Sequence, residues 1–258
     1  MKLFSRIIGE DGIPLVVLHG LFGMNDNWMT LGKLWAEERA VHLVDQRNHG
    51  QSPRSDEWTY ELMAQDVIEY LEDQKLDQVH LLGHSMGGKT AMCLAAERPE
   101  LLKSLIIVDI GPKQYPVHHR TIVNALKSVP LDQLKSRREV DQKLEEGGIP
   151  EVGVRQFLMK SLHRKKEGGF EWRFHINVID KELDNVGQML PEELGFEGPS
   201  LFVRGEKSGY ILDDDLPGIH RQFPLMELET INNAGHWVHA EQPELLLNCI
   251  QTFIQKND

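Results

Sequence analysis

The sequence predicts an α/β fold in which helices cover both faces of a doubly wound, mostly parallel sheet. Short and almost continuously apolar runs alternate along the chain with amphipathic stretches. Continuous apolarity is typical of strands buried on both faces, and apolar residues at helical spacing are typical of helices packed on one side. With 258 residues, 40% of them hydrophobic, the chain can bury one sizeable core.

Six runs are predicted as strands: Pro14–Gly20, Ala40–Gln46, Gln78–His84, Ser104–Ile110, Ser200–Glu206 and Leu225–Ile231. Helical patterns lie between and after these runs, with Thr59–Leu76 and the closing segment Gln242–Gln255 as the clearest examples. Because strands alternate with helices, we expect most neighbouring strands to be parallel.

The alternation stops between Pro112 and Gly195, where the chain is rich in helix formers and charge and has no convincing core strand. Long insertions of this kind are usually functional, which predicts a helical cap inserted before the penultimate strand. A surface decoration without a role at the site is the alternative. The predicted division is a core of residues 1–111 and 196–258 and a cap of residues 112–195.

Composition narrows the class of protein. The net charge is −12, from 28 basic against 40 acidic residues, which argues against binding to nucleic acid or to anionic membranes. The two cysteines, Cys93 and Cys249, lie far apart and suggest no disulfide framework. The apolar stretch near the start is too short for a secretory signal, and no run approaches the length of a membrane span. We therefore expect a cytoplasmic protein without stable membrane insertion.

The segment Gly83-His84-Ser85-Met86-Gly87 follows a predicted strand and precedes a predicted helix. A G-x-S-x-G sequence in this context predicts a sharp turn that exposes the serine hydroxyl as a nucleophile. The glycines remove Cβ atoms that would collide in such a turn. The amide of Met86, at the start of the helix, is predicted to bind an oxyanion. A simple packing turn is the alternative.

Two further segments complete this chemistry. In "HGLFG" (His19–Gly23) the glycines permit a turn, and the amide of Leu21 is the predicted second oxyanion donor. His236 lies in a loop after the last strand, and histidine suits proton transfer near neutral pH. His239, three residues later, is the alternative base.

For the other conspicuous residues we predict structural roles rather than catalytic ones. The loop "DQRNHGQSPR" (Asp45–Arg54) is interpreted as a hydrogen-bonded brace for the "HGLFG" turn rather than as a catalytic segment. Histidines such as His118 and His119 are expected to have ordinary polar or packing roles. No metal site is predicted, because the chain shows no H-x-x-x-H on a helix and no paired cysteines, and no cofactor is required.

Together, "HGLFG", "DQRNHGQSPR", "GHSMGGK" and "AGHWVHAEQPE" resemble the α/β-hydrolases, and specifically the YbfF-type bacterial esterases, over nearly the whole chain. Many α/β-hydrolases place the acid that orients the histidine after the penultimate strand. Here that loop reads "RGEKSGYI", with Ser208 where the resemblance implies an aspartate. A hydroxyl cannot supply the charge, so another carboxylate is needed.

Asp109 is the predicted acid, with Glu206 as the alternative. Asp109 ends an apolar strand, where a carboxylate is costly to desolvate unless a partner such as an imidazolium is present. The YbfF-type pattern is similar at this place. The chain order Ser85, Asp109, His236 also matches the order of nucleophile, acid and base in this fold.

The sequence therefore predicts a serine carboxylesterase that hydrolyses small acyl esters through a covalent acyl-enzyme. Acyl-CoA thioesters are an additional expectation, drawn mostly from the resemblance; the cap, with 14 Lys and Arg against 13 Asp and Glu, is less acidic than the rest. Weaker predictions for substrate binding are Phe22, Trp237, Phe157 and Trp172. A carbon–carbon bond hydrolase, a cofactor-free perhydrolase and a non-catalytic ligand receptor are the alternatives. The oligomeric state is left open.

Overall fold

A computed structural model describes residues 1–116 and 119–258, in which nine strands are assigned. They are β1 (Ser5–Ile8), β2 (Leu15–Leu18), β3 (Val41–Val44), β4 (Val79–His84), β5 (Leu102–Val108), β6 (Leu162–Arg164), β7 (Phe170–Trp172), β8 (Ser200–Gly205) and β9 (Met226–Ile231). Seven of them form one sheet in the order β1-β3-β2-β4-β5-β8-β9. β6 and β7 form a separate two-stranded hairpin.

Every neighbouring pair in the large sheet is parallel except β1 and β3. The six predicted strands all belong to this sheet, which confirms the predicted fold class. β1 was not predicted. Its sequence, Ser5-Arg6-Ile7-Ile8, is short and partly exposed, so it lacks the continuous apolarity by which the buried strands were recognised.

Eleven α-helices are assigned in the described residues. They are α1 (Met29–Trp35), α2 (Tyr60–Asp73), α3 (Met86–Glu97), α4 (Arg120–Ser128), α5 (Arg137–Glu146), α6 (Val152–Lys160), α7 (Ile176–Lys181), α8 (Leu183–Gly187), α9 (Leu216–Gln222), α10 (Val238–Glu241) and α11 (Pro243–Asn257). Of the helices among residues 1–116 and 119–258, none combines the length and the apolarity that crossing a bilayer requires.

The sheet separates two apolar clusters. Successive residues of β2 point to opposite faces, so Val16 packs with the cluster that includes α2, α3 and the cap, whereas Val17 packs with the cluster that includes α1 and α11. Both residues are fully buried or nearly so. The two-sided burial explains why the strands read as continuous apolar runs.

The segment between β5 and β8 contains α4 to α8 and the β6–β7 hairpin. In the described part of this segment no strand joins the central sheet, and its apolar residues, including Val123, Leu144 and Leu158, belong to the same cluster as α2 and α3. The predicted boundaries at 112 and 195 stay a prediction. His118, for which we predict an ordinary polar role, lies outside the described residues.

The turn from β4 into α3 brings backbone segments into very close contact. Ser85 has φ +53° and ψ −118°, in the region that favours glycine. A Cβ on Gly83 would lie 2.2 Å from the Gly87 carbonyl oxygen, and one on Gly87 would lie 2.5 Å from the Leu18 carbonyl oxygen. These glycines therefore allow α3 to start directly against β2 and β4.

Gly83→Ala should destabilise the protein by about 3 kcal/mol or more, because the added methyl group meets backbone rather than a movable side chain. Gly153→Ala is the matched control, since a Cβ at Gly153 has no heavy atom within 4 Å. It should leave the free energy of unfolding unchanged or raise it by up to about 1 kcal/mol. Chemical denaturation measures both variants, and equal stabilities would contradict the steric account.

Candidate active site

Three side chains from separate strand ends meet at the carboxyl edge of the sheet. Ser85 follows β4, Asp109 follows β5, and His236 lies in the loop after β9. The His236 Nε2 atom lies 3.0 Å from Ser85 Oγ, and His236 Nδ1 lies 2.8 Å from Asp109 Oδ2. A hydroxyl, an imidazole and a carboxylate are thus joined in one hydrogen-bonded chain.

Asp109 is fully buried, and its backbone also has a positive φ of +53°. Its Oδ1 accepts a hydrogen bond from the Gly205 amide at 3.0 Å, and its Oδ2 accepts one from the Ser208 hydroxyl at 2.5 Å as well as the one from His236. A buried carboxylate needs such donors to remain ionised. Ser208, where the family resemblance implies an aspartate, is therefore a hydrogen-bond donor to the carboxylate that lies one strand away.

The alternative acid and the alternative base that the sequence analysis left open, Glu206 and His239, lie outside this hydrogen-bonded chain. Glu206 is exposed, and its carboxylate accepts the Asn233 amide at 2.7 Å. His239 is buried and stacks on Trp28 with 4.5 Å between ring centroids. Neither side chain is placed in the hydrogen-bonded chain of Ser85, His236 and Asp109.

The position of the His236 ring is fixed from several sides. The Tyr210 ring stacks on it with centroids 4.0 Å apart and planes 17° apart. His84 Nε2 donates a hydrogen bond to the His236 carbonyl oxygen at 2.9 Å. Since His236 Nδ1 donates to Asp109, its Nε2 is left as the acceptor for the Ser85 hydroxyl, which is the tautomer a general base requires.

The neighbouring histidines are electrically neutral. Burial lowers the pKa of His84 well below its ordinary value, and the nearby His239 and His236 lower it further. Burial likewise lowers the pKa of His239 to about 3. Neither ring therefore places a positive charge beside His236 near neutral pH.

The "HGLFG" segment forms a tight turn at the end of β2. The Gly23 amide donates to the Gly20 carbonyl oxygen at 3.0 Å, so Leu21 and Phe22 are the central residues of the turn. Leu21 lines the same pocket as Ser85. Its amide is not used in the hydrogen bond that closes the turn. Met86 is the first residue of α3, so its amide has no intrahelical acceptor.

The turn is braced by the loop after β3. Phe22, with φ +62°, donates its amide to His49 Nε2 at 3.3 Å, while His49 Nδ1 donates to the Arg47 carbonyl oxygen at 3.0 Å. Burial lowers the pKa of His49 to about 3, which keeps Nε2 free to accept. Arg47 forms an ion pair with Asp66 at 2.6 Å and does not enter the site. This is the bracing role that the sequence suggested for the loop.

A cavity of about 310 Å³ opens onto Ser85 and His236. Its apolar lining comes from the core and the cap: Leu21, Phe22, Ile122, Val154, Phe157, Leu158 and Trp237. Among the described residues, no Lys, Arg, Asp or Glu lines this cavity. A larger groove of about 550 Å³ runs beside Pro112 and α9, but none of the three hydrogen-bonded side chains lines it.

Of the predicted substrate-binding residues, three line the cavity and one does not. Phe157 and Trp237 lie side by side there, with ring centroids 5.7 Å apart, and Phe22 is the third. Trp172 is instead buried within the cap, where it stacks on Phe174 and donates its indole N–H to the Leu126 carbonyl oxygen at 3.3 Å. The structure therefore does not bring Trp172 to the cavity, because its apolar surface is covered by the cap itself.

The sequence analysis missed several residues of the site. Tyr210 and the cap residues Ile122, Val154 and Leu158 were not singled out. Ordinary helical spacing in the cap gave no sign of which apolar residues face Ser85. In the described ranges, no group of three or more His, Cys, Asp or Glu side chains is arranged to hold a metal ion.

A mostly parallel sheet with a serine in a strained strand-to-helix turn, a histidine after the last strand and an inserted cap defines the α/β-hydrolase class. The chain belongs to this family, since the family model for the alpha/beta hydrolase fold matches residues 13–147. The resemblance stated from the sequence motifs is thereby confirmed.

Individual relatives cover nearly all of the chain. It is 36% identical over 248 residues to esterase YbfF of Escherichia coli (strain K12), which spans 95% of this chain and 94% of that protein. It is 37% identical over 253 residues to the sn-1-specific diacylglycerol lipase ABHD11 of Danio rerio, spanning 95% of this chain and 79% of the relative. The solved structure of a marine microorganism esterase has a TM-score of 0.94 and 40% identity, covering 98% of this chain and 99% of that one.

The neutrality of His84 and His239 is directly measurable. Because burial lowers both pKa values, neither imidazole should take up a proton between pH 8 and pH 5. Nitrogen chemical shifts of the histidine rings report this, with His84→Gln and His239→Gln used to assign the two signals and free histidine as the titrating reference. A midpoint above pH 5 for either ring would contradict the electrostatic description.

Proposed function

We propose that this protein is a serine carboxylesterase that hydrolyses uncharged acyl esters through a covalent acyl-enzyme. The observation that carries the proposal is the chain from Ser85 Oγ to His236 Nε2 at 3.0 Å and from His236 Nδ1 to Asp109 at 2.8 Å, opening onto an apolar cavity. The names of the relatives, an esterase and a diacylglycerol lipase, support the same class of reaction.

In the first half-reaction, His236 Nε2 takes the proton of Ser85 as Oγ attacks the ester carbonyl carbon. The resulting tetrahedral oxyanion would be met by the amides of Leu21 and Met86. Collapse expels the alcohol, which receives the proton from His236 and leaves the acyl group on Ser85. Asp109, buried and fully hydrogen-bonded, stabilises the imidazolium that exists between these two proton transfers.

In the second half-reaction, His236 takes a proton from water, which attacks the acyl-enzyme carbonyl. A second tetrahedral oxyanion forms at the same two amides. Its collapse returns the proton to Ser85 and releases the carboxylic acid. The two half-reactions thus use the same five groups, namely the Ser85 hydroxyl, the His236 imidazole, the Asp109 carboxylate and the two amides.

The lining of the cavity favours neutral acyl chains. Among the described residues, no Lys or Arg lines the cavity to pair with a carboxylate or phosphate. Each methylene group buried against the apolar walls should contribute about 0.8 kcal/mol of binding. Simple esters therefore fit the cavity better than substrates with charged acyl groups.

The expectation of an acyl-CoA thioester receives less support. The cap residue Arg137 donates to the carbonyl oxygens of Leu162 and Met159, Arg164 donates to the Lys135 carbonyl oxygen at 2.8 Å, and Lys165 pairs with Asp132. These basic groups are already paired within the cap, which weakens the case that they bind the phosphates of coenzyme A. Thioester hydrolysis is therefore tested alongside ester hydrolysis and is not the main proposal.

An active-site probe tests the nucleophile. A fluorophosphonate should label the wild-type protein stoichiometrically at Ser85, and Ser85→Ala should lose both labelling and at least about 10⁴-fold in kcat on p-nitrophenyl esters. Ser208→Ala is the control for labelling at the neighbouring hydroxyl. Comparison of kcat/KM for hexanoyl-CoA and p-nitrophenyl hexanoate decides between thioester and ester. An unlabelled, inactive wild type would overturn the proposal in favour of a non-catalytic receptor.

The acid is tested separately. Asp109→Asn keeps the size of the side chain but should favour the wrong His236 tautomer and remove the charge that stabilises imidazolium, lowering kcat by about 10⁴-fold. Glu206→Gln, which changes an exposed carboxylate outside the hydrogen-bonded chain of Ser85, His236 and Asp109, should stay within about twofold of wild type. Near-normal turnover by Asp109→Asn, with circular dichroism unchanged, would remove Asp109 from the mechanism.

A further inference from the structure

Lys89 is a fully buried lysine that the proposed mechanism does not use. It lies on α3, one helical turn after Ser85, and its side chain is enclosed within the core. Among the ion pairs of the described residues, none involves Lys89, and burial lowers its pKa to about 7. A buried amine without a carboxylate is costly, so the structure must satisfy it by other contacts.

Those contacts are two backbone carbonyl groups. Lys89 Nζ donates to the Lys113 carbonyl oxygen at 3.0 Å and to the Gln188 carbonyl oxygen. Lys113 lies just after the chain leaves the sheet at β5, and Gln188 lies at the end of α8, before the chain returns to β8. One nitrogen therefore holds both segments that join the cap to the core.

We call these segments, residues 112–115 and 187–190, the neck of the cap. They are also bonded to each other: the Leu190 amide donates to the Pro112 carbonyl oxygen at 2.8 Å, and the Tyr115 amide donates to the Gly187 carbonyl oxygen at 2.7 Å. The neck is thus a short paired ribbon, and Lys89 fastens it to α3.

Two tyrosine rings lie beside the Lys89 amine, and one of them connects it to the loop that contains Tyr210. Lys89 Nζ lies 5.0 Å from the centroid of the Tyr115 ring and 5.7 Å from that of Tyr60, within the range of cation–π attraction. The Tyr115 hydroxyl accepts the Gly111 amide at 2.8 Å and donates to the Tyr210 carbonyl oxygen at 2.7 Å. Tyr210 is the residue whose ring stacks on His236.

We propose that Lys89 is a positioning residue that ties the neck of the cap to the helix of the nucleophile, and so sets the distance between the cap wall of the acyl cavity and Ser85. The second half of this statement rests on the proposed esterase function. The tie itself does not, since it is a property of the fold.

The chemistry of the amine suits this role. Both the ammonium and the neutral amine have at least two N–H groups, so both can donate to the two carbonyl oxygens. The tie therefore persists whether or not Lys89 is protonated. An apolar side chain of the same length would leave two buried carbonyl groups without a partner.

The cavity is sensitive to the neck because the cap supplies one of its walls. Ile122 lies on α4, shortly after the neck, and Val154 and Phe157 lie on α6. A second tie, from the Ser161 hydroxyl to the Phe22 carbonyl oxygen at 2.7 Å, keeps the cap attached to the "HGLFG" turn. Loss of Lys89 should therefore shift the wall without releasing the cap.

The test uses Lys89→Met, which keeps length and removes the donors, beside Lys143→Met, a lysine of α5 that is 46% exposed. Hydrogen exchange at residues 111–116 and 187–190 should speed up by about tenfold or more in Lys89→Met only. The ratio of kcat/KM for p-nitrophenyl hexanoate to that for the acetate should fall about tenfold, mainly through KM, because acetate does not reach the cap wall. Lys143→Met should match wild type in both measurements.

The outcomes separate the alternatives. Equal loss on both esters with unchanged exchange would mean a general effect on stability and would overturn the proposal. If wild type hydrolyses no ester, the esterase function fails, while hydrogen exchange still decides the tie. Should Lys89→Met fail to fold, Lys89→Gln, which retains a shorter donor, replaces it. Failure of both to fold would overturn the proposal, since a tie to the cap neck does not predict collapse of the core.

Discussion

The rest of the site depends on how closely backbone segments approach one another at the carboxyl edge of the sheet. The chain must turn sharply after β4 and β5 so that Ser85 and Asp109 reach His236, and both residues have φ of +53°. Absent Cβ atoms provide the space: one on Gly205 would lie 2.2 Å from the Gly235 carbonyl oxygen, much as one on Gly83 would collide with Gly87. Strain at functional residues persists because the surrounding packing leaves no alternative. The buried sheet and α3 supply that packing.

This constraint explains what the sequence could predict. Ser85 was predictable because its turn is specified by neighbours within two positions, and the buried strands because burial on both faces produces continuous apolar runs. Asp109 required an argument about the desolvation of a carboxylate at a strand end, and the structure does bring it to His236. The placement of Trp172 away from the cavity could not be predicted, because its contacts with Phe174 and Leu126 depend on packing within the cap. Tyr210 was missed for a different reason, because its stacking on His236 depends on where two loops that are distant in the sequence meet.

Burial also decides the electrostatics around His236. Burial lowers the pKa of His19 to about 4 and that of His49 to about 3, and it lowers those of His84 and His239 as well. These four histidines lie near the turns at this edge. Neutral rings can accept backbone amides, as His49 does for Phe22. A positive charge that develops on His236 therefore meets one buried carboxylate, and no Lys or Arg is among the described residues that line the cavity.

The need to satisfy buried backbone groups also explains why Lys89 lies in the interior, beside an otherwise apolar cluster. Its desolvation is unfavourable, and an apolar residue would pack at Lys89 without that cost. The neck, however, presents two carbonyl groups to α3 that accept no hydrogen bond from the backbone amides of the neck, all of which lie in the described residues. A long side chain with several N–H groups reaches both. Ser85 directly precedes α3, and Lys89 lies one turn further along it. The position of the cap is therefore fixed relative to the same helix that positions the reacting hydroxyl. If the cap were attached only to strands distant from α3, small movements of the sheet would change the distance between the cap wall of the cavity and Ser85.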